Sequence, residues 1–419
     1  MSHATRDETA PAARPGAAAR APRAVRVLLR PVPRGLRPES LLLLATTLFL
    51  VGFGLVMVLS ASSVDARIDS GNSFDVFLRQ GTFALIGVPM MLLAARLPAR
   101  FWLRVAWPVL VAGCALQLVV LLTPLGVSVN GNRNWLALGS FGVLQPSEII
   151  KVGIVLWLGM FLTRRQARVQ EFAHGVVPAV LVTGLAIVLV ALGGDLGTAM
   201  ILLLIVIGGL FFGGVRLRHL LVVTGGIAAA VAVAAVSRPS RMVRIEAFLN
   251  PSTADYDDTQ WQTQNGYFAL SDGGVFGTGI GQSKEKWSWL PAVDTDFIFA
   301  IVGEDLGLIG ACTVLALIVV LAVAFLRLVR QSRTLQQRVV TGAVMTWIVA
   351  ESLINIAVVL GLLPVLGVPL PFISAGGTAL ISCLVATGIV LSLARRDLEL
   401  RRAEPASSGA VGGMSDEEN

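Results

Sequence analysis

Residues 237–310 read SRPSRMVRIEAFLNPSTADYDDTQWQTQNGYFALSDGGVFGTGIGQSKEKWSWLPAVDTD and then FIFAIVGEDLGLIG, a long polar stretch that runs straight into the apolar start of a helix. A connection of this length is functional or disordered in most compact proteins. Its Trp, Tyr, Phe and Gly content argues for order. It delivers acids to the edge of an apolar span: Asp294, Asp296, Glu304 and Asp305. No other part of the chain is both long and polar between two hydrophobic runs.

Those runs set the class. The chain has 419 residues, 55% of them hydrophobic and only 14% charged. Its mean hydropathy of +0.77 excludes an ordinary soluble domain. Spans are expected at 41–61, 81–97, 104–123, 146–163, 175–193, 196–214, 217–236, 297–326, 338–362 and 376–394, each long enough to cross a bilayer. The first apolar run, Leu41 to Leu59, is too long for the apolar region of a signal peptide, although Ser60-Ala61-Ser62 follows it. The expectation is an all-α integral membrane protein of ten helices in a membrane domain over 40–396, with the large loop at 237–295 between helices seven and eight. Residues 1–39, rich in Ala, Pro and Arg, and residues 397–419 read as disordered tails.

Charge orients the spans. With both ends in the cytoplasm, only Arg67, Arg79, Arg133, Arg238, Arg241, Arg244, Lys284 and Lys286 fall outside, and Lys151 lies within a span. The rest of the 33 Lys and Arg lie on short inner segments. That is the positive-inside pattern, and it puts the 237–295 loop on the outer face. The net charge of +7 therefore reflects membrane orientation, and no nucleic-acid partner is expected.

The unusual polar motifs collect on that outer face: Asn130-Gly-Asn-Arg-Asn-Trp135, Gln145-Pro-Ser-Glu148, Gly193-Gly-Asp-Leu-Gly-Thr198, the long loop, and 363–377 with its Pro369-Leu-Pro371 and Ser374-Ala-Gly-Gly377. Turn chemistry alone would enrich the inner loops equally, and they are plain arginine-rich connectors. Glu148 and Lys151, three apart at the start of a span, face the same side and can pair; Lys151 either ties helices together or holds an anionic lipid group. Glu351 lies mid-span, with its partner unassigned. Asp296 stands at the loop–helix junction, where it either caps the helix or acts as a general base at a lipid headgroup. The glycine run 273–281 lacks the Gly-Lys-Ser/Thr ending of a phosphate loop, so no nucleotide site is expected. Trp135, Trp261, Trp287 and Trp289 fit an interfacial belt or a sugar platform. Three histidines and three scattered cysteines make a His metal site, a Ser-His-Asp triad or a disulfide framework improbable.

In order and spacing, GLVMVLSAS at 54–62, NGNRNW, QPSEIIK, GGDLGT, RIEAFLNP at 244–251, GGVFGTGIGQS, TDFIFAIVGEDLG and GLLPVLGVPLPFISAGG resemble the SEDS family of peptidoglycan polymerases, FtsW and RodA, over about residues 40–396. Ser374-Ala375-Gly376-Gly377 replaces the family's usual SYGG in the manner of actinobacterial FtsW. Glu304-Asp305 replaces EE, Glu351 a common glutamine, and Asp294 a usual histidine. The resemblance implies a glycosyltransferase that polymerises lipid II into glycan strands, donor and acceptor both outside the cell membrane and the donor glycan on undecaprenyl pyrophosphate. It implies Asp296 as the catalytic base. Lys151, Glu148, Arg133, Arg79, Arg244, Ser374, Gly376 and Gly377 are then substrate-binding candidates, and Asp294 and Glu304 accessory carboxylates. A divalent cation (Mg or Mn) is a candidate cofactor for the departing pyrophosphate, its site unknown. A class B, FtsI-like penicillin-binding protein and other division proteins are the implied partners, at the division septum. A lipid II flippase, a RodA-type elongation polymerase and a division scaffold are the other readings. Functional charges at mid-bilayer would favour the flippase.

Overall fold

A computed structural model describes residues 37–403 except 130–131, 138, 140–141, 237–241, 243–247, 249–259 and 287–292. Eleven helices appear: α1 Pro38–Ser70, α2 Asp75–Arg96, α3 Ala99–Leu122, α4 Pro146–Arg164, α5 Val177–Leu192, α6 Leu196–Gly213, α7 Leu217–Val236, α8 Gln260–Gly273, α9 Ile298–Arg330, α10 Leu335–Val359 and α11 Gly377–Ala403. Among the described residues nine helices are long and apolar enough to span a membrane; the apolar stretch of α7, Leu217–Val231, is shorter. The molecule is thus a multi-span helical membrane protein. The seventh expected span, 217–236, coincides with α7. Most of both expected tails lies outside the described residues, and α11 continues past residue 396 to Ala403.

Local chemistry sets the ends. Pro38 and Pro146 stand in the first turns of α1 and α4, where a missing N–H costs nothing. Asp195 caps α6, its Oδ1 accepting from Thr198 N at 2.8 Å. Gly71 ends α1 in the left-handed region.

Small residues let helices approach without a hydrophobic force between them. Gly153 of α4 lies against Leu110 of α3, where a Cβ would come within 2.8 Å of the Leu110 Cα. Gly208 of α6 takes the Thr346 side chain of α10, and Gly388 of α11 lies on the Met91 carbonyl of α2.

Two elements were not expected. The segment before α4 is a three-stranded antiparallel sheet, β1 Gly126–Val129, β2 Asn132–Ala137 and β3 Val143–Leu144, so the chain is not wholly helical. Val129 pairs with Asn132, and the sequence between them, Asn-Gly, is a strong short hairpin signal. The second is α8, inside the stretch read as one loop.

α9 is broken at Gly307, where φ is 66° and ψ −164°. The glycine-rich segment after α8 fills the break. Thr278 N and Gly279 N donate to the carbonyls of Glu304 and Asp305 at 2.9 and 3.0 Å, while Leu308 N and Ile309 N donate to those of Gly274 and Val275 at 2.9 and 3.3 Å. Any Cβ at residue 307 would meet the backbone of residues 275–277. Four backbone groups at the break, the carbonyls of Glu304 and Asp305 and the amides of Leu308 and Ile309, are answered by the loop, in keeping with the need to pair polar backbone inside lipid.

Candidate active site at the motif-bearing end

The motifs that sequence placed on one face are knitted into one end of the bundle. Arg133 N of β2 donates to Gly193 O at 2.8 Å, joining the sheet to the α5–α6 turn. Gln145 Nε2 reaches Asp195 Oδ2 at 3.1 Å. Gly197 of α6 lies on the Leu366 carbonyl, so this turn also supports the segment 360–376. Burial pushes the Asp195 carboxyl up from its ordinary range, opposed by its two bonds to Thr198.

Asp296 lies within the turn 293–297, half-buried, one residue before the N-cap position Phe297 of α9. Its backbone and its neighbours' are gripped on three successive carbonyls. Asp294 O accepts from Ala375 N at 2.8 Å, Thr295 O from Ser374 Oγ at 2.6 Å, and Asp296 O from Asn355 Nδ2 at 2.7 Å. The Asp296 carboxylate faces Gly367, where a Cβ would lie 3.7 Å from Oδ2; Gly367 itself has φ 68°. α8 backs the turn, with Gly266 against the Phe297 ring and Tyr267 against Gly361.

The 374–376 segment is fixed in turn by Gln80 of α2, whose Nε2 donates to Ser374 O and whose Oε1 accepts from Gly376 N, both at 3.1 Å. Phe372 has φ 67°, a strained backbone for a side-chain-bearing residue. Gly54 of α1 allows that strain: a Cβ at 54 would meet the Phe372 carbonyl at 2.5 Å and the Ile373 Cα at 2.7 Å.

The remaining candidates sort by position. Asp294 is half-buried; its desolvation, then the Asp65 carboxylate of α1, hold its carboxyl above the ordinary range. Glu304 is buried and its Oε1 accepts from Lys284 N at 2.5 Å, while its Oε2 has no hydrogen-bond partner among the described residues. Asp305 accepts from Ser60 Oγ, from Gly281 N at 3.3 Å and from Ser283 N at 3.2 Å. These two acids hold the glycine loop by its amides. Arg79 is exposed, one residue before Gln80, with its guanidinium over Gly142, where a Cβ would be 2.6 Å from Nη2. Arg133 is half-buried and spends Nη2 on Thr123 O at 2.6 Å. Arg244, Trp287 and Trp289 lie outside the described residues.

Lys151 is placed apart from these. It is 1% exposed, between Glu148 Oε1 at 2.9 Å and Glu351 Oε1 at 2.8 Å, with the Trp347 ring centroid 5.3 Å away. Ser382 Oγ donates to Glu148 Oε2 at 2.6 Å and Trp347 Nε1 to Glu351 Oε2 at 2.5 Å. All four carboxylate oxygens are answered. The geometry favours the helix-tying reading of Lys151 over contact with a lipid anion, and it supplies the missing partner of Glu351. Sequence reasoning missed Gln80 and noted Asn355 only as a polar neighbour of Glu351 with no role; Gln80 acts on residues 294 and 296 positions away, which leave no local signal.

A multi-span membrane protein with an acidic turn pinned by backbone grips at one end defines the class. The chain belongs to the FtsW/RodA/SpoVE family, described as "Cell cycle protein", which matches residues 40–398. "Probable peptidoglycan glycosyltransferase FtsW" of Mycobacterium tuberculosis is 34% identical over 358 residues, covering 85% of this chain and 68% of that protein. "Stage V sporulation protein E" of Bacillus subtilis is 37% identical over 359 residues, 85% of this chain and 97% of that one. Among solved structures, a chain described under "Structural coordination of polymerization and crosslinking by a peptidoglycan synthase complex" superposes with TM-score 0.68 at 28% identity, covering 85% of this chain and 97% of its own. The rod shape determining protein RodA of Thermus thermophilus gives TM-score 0.62 at 28% identity, covering 85% and 96%.

Proposed function

We propose that this protein is a peptidoglycan glycosyltransferase that polymerises lipid II at the outer face of the cytoplasmic membrane, with Asp296 as general base. Ten spans, both termini in the cytoplasm and the 237–295 segment outside belong to this reading; the positive-inside pattern supports them. The observation that carries it is the convergence of the family's motifs on one turn. Three successive carbonyls are held so that the Asp296 side chain stands at half-burial beside the glycine-lined 361–376 segment.

In the reaction, Asp296 takes the proton from the sugar 4-hydroxyl of lipid II as that oxygen attacks the anomeric carbon of the growing glycan. The bond to undecaprenyl pyrophosphate breaks, and the leaving group departs with its electron pair. Pyrophosphate is already a good leaving group, so the carboxylate pair of a glycosidase is not needed. Arg79, exposed at this end, is the candidate cation for its charge. A divalent cation on the pyrophosphate would need only one or two carboxylates besides the phosphate oxygens, and among the described residues no cluster of three His, Cys, Asp or Glu side chains marks its site. No step is assigned to one.

Division rather than elongation is supported by Ala375 and by relatives named FtsW. The family resemblance and the solved synthase complex support a class B penicillin-binding protein as partner. The test is lipid II polymerisation by purified protein with that partner. Wild type should make glycan chains, and a folded Asp296→Ala variant should make none. Lipid II movement across sealed vesicles without chains would replace the polymerase with the flippase.

A further inference from the structure

We infer that Asn355 and Ser374 are positioning residues that set the location of the Asp296 carboxylate by gripping the backbone of its turn. The inference rests on the reading of Asp296 as the base. Asn355 is 1% exposed on α10, four residues after Glu351 and so on the same face of the helix. Its Nδ2 donates twice, to Asp296 O and to Val368 O, both at 2.7 Å. One side chain thus ties the acidic turn to the segment facing its carboxylate, which contains Gly367. Amide orientation is not arbitrary here: the reverse assignment would set Oδ1 against two carbonyl oxygens.

Ser374 closes the other side. Its Oγ donates to Thr295 O at 2.6 Å and accepts from Leu370 N at 2.8 Å, so its donor and one acceptor site are both used. With Oγ committed in this way, the hydroxyl is placed to hold backbone rather than sugar. The grip has a rigid footing on both sides, Gln80 of α2 beneath Ser374 and the α10 helix beneath Asn355.

The two grips act on neighbouring carbonyls, Thr295 and Asp296, immediately before a helix start. Both grips land on backbone carbonyls, so their loss should move the base without altering its chemical identity. A displacement of about 1 Å at a reacting group costs up to about a hundredfold in rate. A contact that positions a base acts on the transition state and leaves substrate binding alone, so the loss should fall on kcat and not on KM.

The experiment measures initial rates of lipid II polymerisation by the full-length protein with its class B penicillin-binding partner, over a range of lipid II concentrations. The variants are Asn355→Leu, Ser374→Ala, Ser374→Thr, the Asn355→Leu/Ser374→Ala double and Asp296→Ala, with melting temperatures for each. The expected result is a fall in kcat of about ten- to a hundredfold for Asn355→Leu and Ser374→Ala, with KM within about twofold of wild type. Ser374→Thr, which keeps the hydroxyl, should restore most of kcat. The double should fall less than the product of the two singles, because both hold one turn. Should Asn355→Leu fail to fold, the Ser374 pair carries the test. Unchanged kcat per folded molecule, or a rise in KM alone, overturns the inference. If Asp296→Ala is inactive while Ser374→Ala and Asn355→Leu keep kcat, the grip fails and the base stands. If Asp296→Ala is fully active, the base reading fails and takes the grip with it.

Discussion

Around Lys151 the charged groups are enclosed and each carboxylate oxygen has a donor, whereas around Asp296 it is the backbone that is gripped while the side chain stands at half-burial. The first arrangement spends its polar chemistry on holding α4, α10 and α11 together. The second spends it on placing one residue. Both use acids at or within spans, and composition alone does not separate them. What separates them is where the hydrogen bonds terminate: on carboxylates in one case, on carbonyls in the other.

The sharpest way to break this contrast is Asp296→Ala. Loss of a positioned base should lower polymerisation by about 10²–10⁴-fold, read from lipid II turnover, with melting temperature little changed. Should activity survive, both regions would be structural. Lys151→Met should do the opposite, leaving two buried carboxylates without their cation. It should cost about 3–5 kcal/mol of stability, seen in thermal unfolding in detergent as a collapse of the folded fraction. A Lys151→Met protein that folds normally but no longer binds lipid II would move Lys151 to the substrate side.

Gly307→Ala tests the break in α9. A left-handed backbone at a residue with a Cβ costs about 1–3 kcal/mol, and here the Cβ also meets the loop. The expected outcome is faster proteolysis within 274–286 while α9 stays helical by circular dichroism. The smallest effect concerns Asp294. Its carboxyl is held above the ordinary range by burial and by Asp65, so the folded protein binds its proton more tightly than the unfolded chain does. Stability from this group is therefore fullest at low pH and falls as pH rises from the usual carboxylate range through the folded value. Asp294→Asn should flatten that part of a melting-temperature profile against pH; an unchanged slope would assign the slope to other groups.

The spans were legible because apolar length is a local property. The expected spans 146–163 and 196–214 lie within one residue of the helices Pro146–Arg164 and Leu196–Gly213, whose ends carry Pro146, Asp195 and Gly214. The sheet at 126–144 was legible in principle from Asn130-Gly131 between two short runs, but its strands are too brief and polar to show a period. At the candidate site, the junction at Asp296 was visible, and the frame around it was not. Ser374 reads as a loop serine until its Oγ is seen on Thr295 O, 79 residues earlier. Glu351 reads as an unexplained intramembrane acid until Lys151 appears, 200 residues away. Pairings at such separations leave no mark on either neighbourhood.

The splice at Gly307 has a mechanical consequence. The tip of the glycine segment is exposed at Val275 and Phe276, 54% and 83% accessible, yet the backbone beneath it completes the hydrogen bonding of α9. A load applied at that tip has no slack tether to take up. It is borne by α9 itself, whose first turn begins two residues after Asp296, so the tip and the acidic turn are two ends of one stiff member.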